Sequence, residues 1–527
     1  MKIAIVENPR PLTIEHYNDV ANAPLSASLN SGYALAVARR SGWETVYLDF
    51  SSGAGDAAAM AACILAEAAD IVLFHWVYSW GHEHEVCAIM ELLRRESPAP
   101  LGAFGLFPTL SRSRLLLFAP QLDFILAGEF EATLAELLPD FGRRQTITAL
   151  PGLFLRDERF VPRTLIADLA QLPIPEDVGV NCNYTALNIA ASRGCTGACS
   201  FCFIHRYYGC SRRRVRDTAS LARELTERLA RREIRSLYFI DPTFIGQGDK
   251  DRERTVEISR LVHGHGLTFG FEARVDSIDA GLLATLAQNG ATSIFLGIES
   301  GCDAVLARIG KRISTEQIRR GVRIVRESGI KLHLGFIMFE PDTDLAELEE
   351  NYSFLDGLGL LEEHELTANL LYHNQIVLHG AAAWERFEQE GRLLLDLRLP
   401  FEARYRFRDE RVGLVCAAMG RLSAEYFRGS DALYPAAVIG GETCSRLEHP
   451  ASFGRGNAAD VNALLKEAFL AFCAAAKNLP RQQLMALEEG YQLLLRTMLA
   501  KAEIIPVARL DEAKAAQGQK LCCNEEC

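Results

Sequence analysis

Short apolar segments alternate with amphipathic helical segments along most of this 527-residue chain, in two series separated by a proline-marked stretch. Apolar strands that alternate with helices build parallel sheets that helices cover on both faces. The first series, residues 1–145, therefore predicts an α/β domain with a doubly wound parallel sheet. Such sheets bind ligands at the carboxyl ends of their strands, near a switch in strand order.

The second series, residues 185–380, contains six predicted strands, each followed by helical or loop sequence. These strands are 188–192, 236–241, 268–274, 293–299, 331–339 and 365–371. Six units are fewer than the eight of a closed barrel, so the series predicts a partial (β/α)6 barrel of the TIM type. The remaining parts are a hairpin and linker at 146–184, a mostly helical C-terminal region at 381–510 and a cysteine-containing tail at 511–527.

Composition and charge exclude several classes of function. The formal net charge is −12 and no basic tract is present, which argues against a nucleic-acid partner. No apolar run approaches the roughly 18 residues of a membrane span. The first residues, MKIAIVENPR, turn polar within seven positions and predict a β-strand rather than a signal peptide. We therefore expect a cytoplasmic protein.

Fourteen cysteines are scattered through the chain, and without an export signal they predict reduced thiols or metal ligands rather than disulfides. Two groups stand apart from the isolated positions. One is Cys195, Cys199 and Cys202, and the other is Cys522, Cys523 and Cys527.

The first group has the spacing CxxxCxxC. Thiolates select iron–sulfur clusters or zinc. Three ligands within eight residues can surround one face of a cubane and leave one iron without a protein ligand, as catalytic metal sites keep an open position. Gly194 and Gly197 allow the backbone to curl around such a cluster. We therefore predict a [4Fe–4S] cluster held by Cys195, Cys199 and Cys202.

A structural zinc site is the alternative for the same cysteines. Zinc would need a fourth ligand, which Cys210 or His205 could supply. The protein would then be a metal-binding scaffold or regulator rather than an enzyme.

The CxxxCxxC spacing after a first barrel strand resembles the radical-SAM superfamily. The resemblance implies that S-adenosylmethionine (SAM) chelates the open iron, and that the reduced cluster cleaves SAM to release a carbon radical. It also implies an electron donor such as flavodoxin or ferredoxin as a partner.

Further motifs carry this resemblance along the second series and imply the residues that contact SAM. They are Phe201 before the last cysteine, Asp241 and Thr243 at the end of the second strand, and Glu299 and Ser300 in the sequence GIESG. Glu272 and Arg274 of the third strand would point into the barrel as catalytic residues. A buried salt bridge is the alternative for this last pair.

The order of an αβ domain, a linker and a barrel resembles the cobalamin-binding radical-SAM enzymes. Matching positions, which the resemblance assigns to cobalamin, are Phe107, Pro108, Thr109, Gly128 and Glu129. No DxHxxG motif offers a histidine to cobalt. The implied reaction is methyl transfer to an unactivated carbon of a small-molecule or peptide substrate, in natural-product or secondary metabolism. A domain that keeps the fold without the cofactor is the alternative.

The second cysteine group forms a CCxxxC tail, and adjacent thiols in such a tail can bind soft ions such as arsenic(III). The tail resembles the CCxxC ending of radical-SAM enzymes of arsinothricin biosynthesis. This resemblance implies an alternative function, transfer of the 3-amino-3-carboxypropyl group of SAM to arsenite held by Cys522, Cys523 and Cys527. A second iron–sulfur cluster, a redox relay and an inert tail also remain open.

Overall fold

The structure is a computed structural model that describes residues 1–10, 29–51, 56–77, 81–156, 158–178, 186–429 and 455–501. The N-terminal part contains one six-stranded sheet. Its strands are β1 (Lys2–Glu7), β2 (Glu44–Asp49), β3 (Ile71–His75), β4 (Leu101–Phe104), β5 (Phe124–Leu126) and β6 (Leu153–Leu155). Its helices are α1 (Leu29–Arg40), α2 (Ala57–Ala66), α3 (Glu83–Glu96), α4 (Leu106–Leu110), α5 (Arg112–Phe118) and α6 (Phe130–Arg144).

The strand order is β2-β1-β3-β4-β5-β6, and the first five strands are parallel. Side chains of one strand alternate between two separate cores, since Ile3 and Ile5 lie in one and Ala4 and Val6 in the other. The doubly wound parallel sheet is thus confirmed. The order switches between β1 and β3, which is where such sheets bind ligands.

The segment predicted as a hairpin and linker extends this sheet. Leu153–Leu155 pairs antiparallel with β5 and closes the edge of the sheet. A single 3₁₀ turn follows at Leu169–Gln171.

The central part, predicted as a partial barrel, has a five-stranded parallel sheet ordered β13-β12-β11-β10-β7. Its strands are β7 (Ala186–Ile189), β10 (Ser236–Phe239), β11 (Thr268–Arg274), β12 (Ala291–Glu299) and β13 (Lys331–Phe336), with a small hairpin of β8 (Ser192–Arg193) and β9 (Arg214–Val215). Its helices are α7 (Ile204–Tyr207), α8 (Thr218–Arg231), α9 (Asp249–Gly264), α10 (Ala280–Gln288), α11 (Asp303–Arg308), α12 (Thr315–Ser328) and α13 (Leu345–Gly357), with a 3₁₀ turn at Val275–Ser277.

The sixth predicted strand, 365–371, is wrong. This segment is helix α14 (His364–Leu370). The buried side chains of Thr367, Ala368, Leu370 and Leu371 follow helical spacing, and a short apolar run does not distinguish strand from helix by itself. An isolated parallel bridge between Phe339 and Asn374 lies beyond the end of β13 instead.

The C-terminal part begins with a small antiparallel sheet that the sequence does not reveal. Its strands are β14 (Val377–Leu378), β15 (Leu393–Leu395) and β16 (Glu402–Tyr405), with helix α15 (Ala382–Gln389) between them. The predicted helical region then follows as α16 (Glu410–Gly429), α17 (Arg455–Asn478) and α18 (Arg481–Lys501). Within the described ranges, no helix is long and apolar enough to cross a membrane.

Candidate active site

The three cysteines of the CxxxCxxC motif lie on a loop that the β8–β9 hairpin holds at both ends. Gly194 adopts φ +85°, and a Cβ there would lie 2.3 Å from the carbonyl oxygen of Arg212. Only glycine allows this close approach of the two backbone segments. Within the loop, the Ser200 amide donates to the Ile309 carbonyl at 2.9 Å, which fastens the loop to the barrel.

Gly197 keeps open the space between two of the thiols. A Cβ at this position would lie 3.5 Å from Cys195 Sγ, 3.8 Å from Cys199 Sγ and 3.1 Å from Arg274 Nη1. Thiolate ligands around a space that no side chain fills suit an iron–sulfur cluster. The residues present therefore fit the predicted cofactor.

Burial affects the thiols of Cys199 and Cys202. Burial raises the pKa of the Cys202 thiol to about 12 and also raises the pKa of Cys199, although Lys311 lowers the latter. Ionisation at neutral pH thus requires the positive charge of bound metal, which deprotonates a coordinating thiol.

Asp241 and Thr243 follow β10 at its carboxyl end, beside the cysteine loop. Asp241 is fully buried, and its carboxylate accepts hydrogen bonds from the Ala191 amide at 2.9 Å and from the Ser192 hydroxyl. It therefore supports the backbone that leads into the cysteines. Thr243 donates to the Ile245 carbonyl at 2.9 Å and lines a cleft of about 350 Å³ together with Thr196 and Arg274.

Glu299 and Ser300, at the end of β12, are also engaged by protein groups. Glu299 has φ +61° and pairs with the buried Lys311, whose Nζ lies 2.7 Å from Oε1. A Cβ at Gly297 would lie 2.7 Å from this carboxylate, so the motif needs glycine there. Ser300 donates to Asn351 Oδ1 at 2.7 Å.

Glu272 and Arg274 lie on the face of β11 opposite to its core residues Phe269, Phe271 and Ala273. Arg274 pairs with Asp276 at 2.9 Å and donates to the Lys311 carbonyl at 3.0 Å. These contacts bring it beside the cysteine loop.

Glu272 lies beside a tyrosine hydroxyl, whereas Phe201 lies against apolar side chains of the barrel. The Glu272 carboxyl lies 3.5 Å from the Tyr238 hydroxyl, and burial raises its pKa to about 8. Phe201 is half-buried and packs against the barrel core.

We expect Glu272→Gln to stabilise the protein without SAM at alkaline pH but not at acid pH. The Glu272 pKa is about 8 in the fold against an ordinary 4.5, so the wild type loses stability as pH rises through this window. The gain in unfolding free energy should grow by on the order of 3 kcal/mol between about pH 5.5 and 8.5. Urea titrations at both pH values measure it, and an equal gain at both would show that the carboxyl is solvated.

The residues predicted to contact cobalamin lie at the carboxyl edge of the N-terminal sheet. Thr109 links the turn after β4 to the turn after β5. Its hydroxyl donates to the Gly105 carbonyl at 2.7 Å and accepts from the Gly128 amide at 2.9 Å. Gly128 has φ +72°, and no heavy atom lies within 4 Å of the position of a Cβ. Phe107 and Pro108 are buried, and Phe107 stacks on Phe401 at 4.9 Å.

Unlike Gly128, which borders open space, Glu129 is surrounded by other protein groups. Its carboxylate is buried and receives hydrogen bonds from Arg193, Arg214 and the Ile166 amide. The described structure thus brings Cys195 and Cys199 close to Arg274 around Gly197. Cys522, Cys523 and Cys527 lie outside the described residues.

Several residues of this region were missed by the sequence interpretation. Lys311 gave no signal, because a lysine followed by an arginine is typical of a solvated surface. Asn8 and Trp76 directly follow β1 and β3, the two strands at the switch in strand order. The position of a polar residue after a buried apolar strand could have indicated Asn8.

Comparison with known families addresses the central part of the chain. Residues 189–355 match the Radical SAM superfamily. These residues form a radical SAM domain. The predicted superfamily is confirmed, and with it the expectation of an enzyme that uses a [4Fe–4S] cluster and SAM.

Curated relatives match a little less than half of the chain. An uncharacterised methyltransferase from Pyrococcus horikoshii is 26% identical over 253 residues, which cover 46% of this chain and 54% of that protein. An anaerobic magnesium-protoporphyrin IX monomethyl ester cyclase from Synechocystis is 27% identical over 260 residues, which cover 46% and 51%. The match thus spans about half the length of these relatives.

Solved structures share the fold over a much larger part of the chain. The cobalamin-dependent SAM radical enzyme OxsB, with aqua-cobalamin and SAM bound, has a TM-score of 0.73 at 17% identity, covering 100% of this chain and 82% of its own. The radical SAM methyltransferase TsrM from Kitasatospora setae, with tryptophan and a SAM analogue bound, has a TM-score of 0.61 at 18% identity, covering 93% and 99%. These likenesses confirm the predicted fold class.

Proposed function

We propose that this protein is a cobalamin-dependent radical SAM methyltransferase that acts on an unactivated carbon of a small molecule. The observation that carries the proposal is the contact between the cysteine loop and the carboxyl edge of the N-terminal sheet. The Tyr207 hydroxyl, five residues after Cys202, donates to the Gly128 carbonyl at 2.9 Å. Phe203 and Tyr207 pack against the core of the N-terminal sheet. Two cofactor sites would therefore lie side by side.

When bound, the cluster and SAM supply an organic radical and cobalamin supplies a methyl group. Cys195, Cys199 and Cys202 would hold the cluster, and Arg274 and Glu272 would orient SAM on the concave face of the barrel. Thr109 and Gly128 would form the rim that receives cobalamin. The packed loop excludes water, which protects a reactive radical. An electron donor such as flavodoxin or ferredoxin would reduce the cluster.

Unsatisfied polar groups at the sheet edge support cobalamin as the ligand. Both amide atoms of Asn8 and the indole nitrogen of Trp76 are buried and have no hydrogen-bond partner among the described residues. Buried polar groups in proteins are almost always paired, so such atoms indicate a missing partner. The corrin ring carries amide groups around its rim, which can both donate and accept.

We expect Asn8→Leu to stabilise the protein without cobalamin and to weaken cobalamin binding at the same time. Removing an unsatisfied buried amide should gain about 1 kcal/mol, while losing its hydrogen bonds to the ligand should raise the Kd about tenfold. Thermal unfolding of the cobalamin-free chain and titration with hydroxocobalamin measure the two effects.

Asn478→Leu provides the control, since Asn478 is exposed and its amide donates to the Ala474 carbonyl of its own helix. Loss of stability without any change in cobalamin affinity would show that Asn8 serves the fold alone. A wild-type protein that retains no cobalamin would remove the methyltransferase proposal.

The CCxxxC tail favours a second candidate, aminocarboxypropyl transfer from SAM to arsenite. The two reactions break different bonds of SAM. Methyl transfer through a radical gives S-adenosylhomocysteine and 5′-deoxyadenosine, whereas aminocarboxypropyl transfer gives 5′-methylthioadenosine.

We expect removal of residues 520–527 to leave cluster assembly and SAM cleavage within about twofold of the full chain, because the cluster ligands lie elsewhere. Mass spectrometry of SAM products, with and without arsenite, measures the result. Formation of 5′-methylthioadenosine that depends on both arsenite and the tail would replace the methyltransferase proposal with the second candidate.

A further inference from the structure

Four buried charged side chains join the cysteine loop to the N-terminal sheet. Arg193 and Arg214 face each other across the β8–β9 hairpin, in register at the base of the cysteine loop. Glu129 and Glu131 follow β5 at the carboxyl edge of the sheet. No more than a tenth of each of these side chains is exposed.

The contacts among the four side chains are multiple and short. Arg214 binds Glu129 with two nitrogens, at 2.7 and 2.8 Å. Arg193 lies 3.1 Å from Glu129 and 2.5 Å from Glu131. The guanidinium groups of Arg193 and Arg214 also lie over the rings of Tyr33 and Tyr208, each at 5.3 Å.

Such a network serves geometry more than stability. Removing four charges from water costs about as much free energy as their mutual attraction returns. A two-nitrogen arginine–carboxylate contact, in contrast, fixes both distance and orientation. The hairpin that carries both arginines is therefore held in one position relative to the sheet edge.

The same contacts occupy the Glu129 carboxylate. Burial opposes its ionisation, but Arg214 and Arg193 outweigh this and hold the pKa of Glu129 below its ordinary value. Both oxygens already accept hydrogen bonds from protein groups, the Ile166 amide included at 2.8 Å. Glu129 is thus fully used without a ligand.

We propose that Glu129, Glu131, Arg193 and Arg214 form an ionic latch that sets the position of the cysteine loop against the ligand site of the N-terminal sheet. Glu129 and Glu131 are then positioning residues, in contrast to the cobalamin contact that the sequence resemblance implied for Glu129. The inference rests on the proposed function only in taking the ligand of the sheet edge to be cobalamin.

The first experiment measures hydrogen exchange of the full-length, cluster-reconstituted protein without cobalamin. Amides of residues 193–216 should exchange at least about tenfold faster in Glu131→Gln, because the buried Arg193 then keeps only one of its two carboxylate partners, which favours local opening. The matched control is Glu136→Gln on the same helix, whose partner Arg163 lies in an exposed pair. Its exchange in residues 193–216 should stay within about twofold of the wild type.

The second readout separates positioning from folding of the loop. In Glu131→Gln with SAM and dithionite, iron content and 5′-deoxyadenosine formation should stay within about twofold, since the cysteines are unchanged. Methylated product per 5′-deoxyadenosine should fall at least about tenfold, because the two sites lose their fixed separation. Arg193→Lys keeps the positive charge but loses the guanidinium group, which contacts Glu129 and Glu131 through two separate nitrogens. In this variant the ratio of methylated product to 5′-deoxyadenosine should also fall, but by less than in Glu131→Gln.

Unchanged exchange in both Glu131→Gln and Arg193→Lys would overturn the latch. If iron content and methylated product fell equally in Glu131→Gln, the latch would also be overturned, because the four side chains would then serve only the folding of the cysteine loop. The exchange experiment needs no cobalamin, so a wild-type protein that binds none would refute the proposed function while the latch is still judged by its own result.

Discussion

Replacing Cys199 by alanine should abolish SAM cleavage, with a fall of at least about a thousandfold in 5′-deoxyadenosine formation. Cys199 is the most buried of the three cysteines, and its thiol lies beside Gly197. Two remaining thiolates cannot hold a cubane that needs three protein ligands. Iron after anaerobic reconstitution should fall from about four per chain to below about one, together with the brown absorbance.

Cys210→Ala is the matched control for this experiment. Cys210 lies between α7 and β9, close in sequence to the cluster ligands and partly buried, but outside the CxxxCxxC motif. The variant should keep its iron and its SAM cleavage. A protein that binds zinc in place of iron, and loses it in Cys210→Ala or His205→Ala, would instead support the structural zinc site.

The two αβ series and the cysteine loop could be predicted because each depends on local sequence. Buried strands such as β3 and β4 are continuous apolar runs, which is typical of parallel sheets covered on both faces. The cysteine spacing is equally local. The superfamily and the fold class therefore followed without any knowledge of distant contacts.

The parts of the fold that were predicted wrongly or not predicted depend on contacts between segments far apart in the chain. Helix α14 was predicted as a strand, because its neighbours in α16 and α17 decide which face of the segment is buried. The small sheet of β14, β15 and β16 pairs residues up to 26 positions apart in short strands. Such short strands have no strong pattern of their own.

The role of Glu129 shows the same limit at the level of one side chain. Its position after β5 matched a motif of cobalamin-binding enzymes, and the structure does place it at the predicted edge of the sheet. Its partners Arg193 and Arg214 lie 64 and 85 residues away. The sequence alone indicated where the Glu129 carboxylate lies in the fold, but not that Arg193 and Arg214 bind it.

Replacing Gly194 by alanine should cause the second-largest effect, a collapse of the cysteine loop without removal of any metal ligand. The new methyl group would lie 2.3 Å from the Arg212 carbonyl oxygen, and φ +85° is unfavourable for alanine. Neither obstacle can be relieved by rotating a side chain, so the β8–β9 hairpin must open. The strain should cost about 3 kcal/mol or more, and iron content should fall at least about fivefold.

Gly209→Ala separates backbone strain from crowding in the same loop. Gly209 also has a positive φ, at +64°, but no heavy atom lies within 4 Å of the position of its Cβ. Alanine there should cost only about 1 kcal/mol and leave the iron content unchanged. Equal losses in both variants would show that φ alone matters and that the Arg212 carbonyl does not crowd Gly194.

Gly197→Ala completes the series at the cluster itself. The backbone conformation of Gly197 is open to alanine, and the closest atom to its Cβ is Arg274 Nη1 at 3.1 Å, the end of a side chain that can move. Folding should therefore be nearly normal, while the displaced guanidinium and the narrowed space between Cys195 and Cys199 impair the cluster. We expect thermal unfolding within about 2 °C of the wild type and SAM cleavage reduced about tenfold. An alanine at this position would place a methyl group between the thiols of Cys195 and Cys199. Full SAM cleavage by Gly197→Ala would therefore mean that the cluster does not occupy the space between these two thiols.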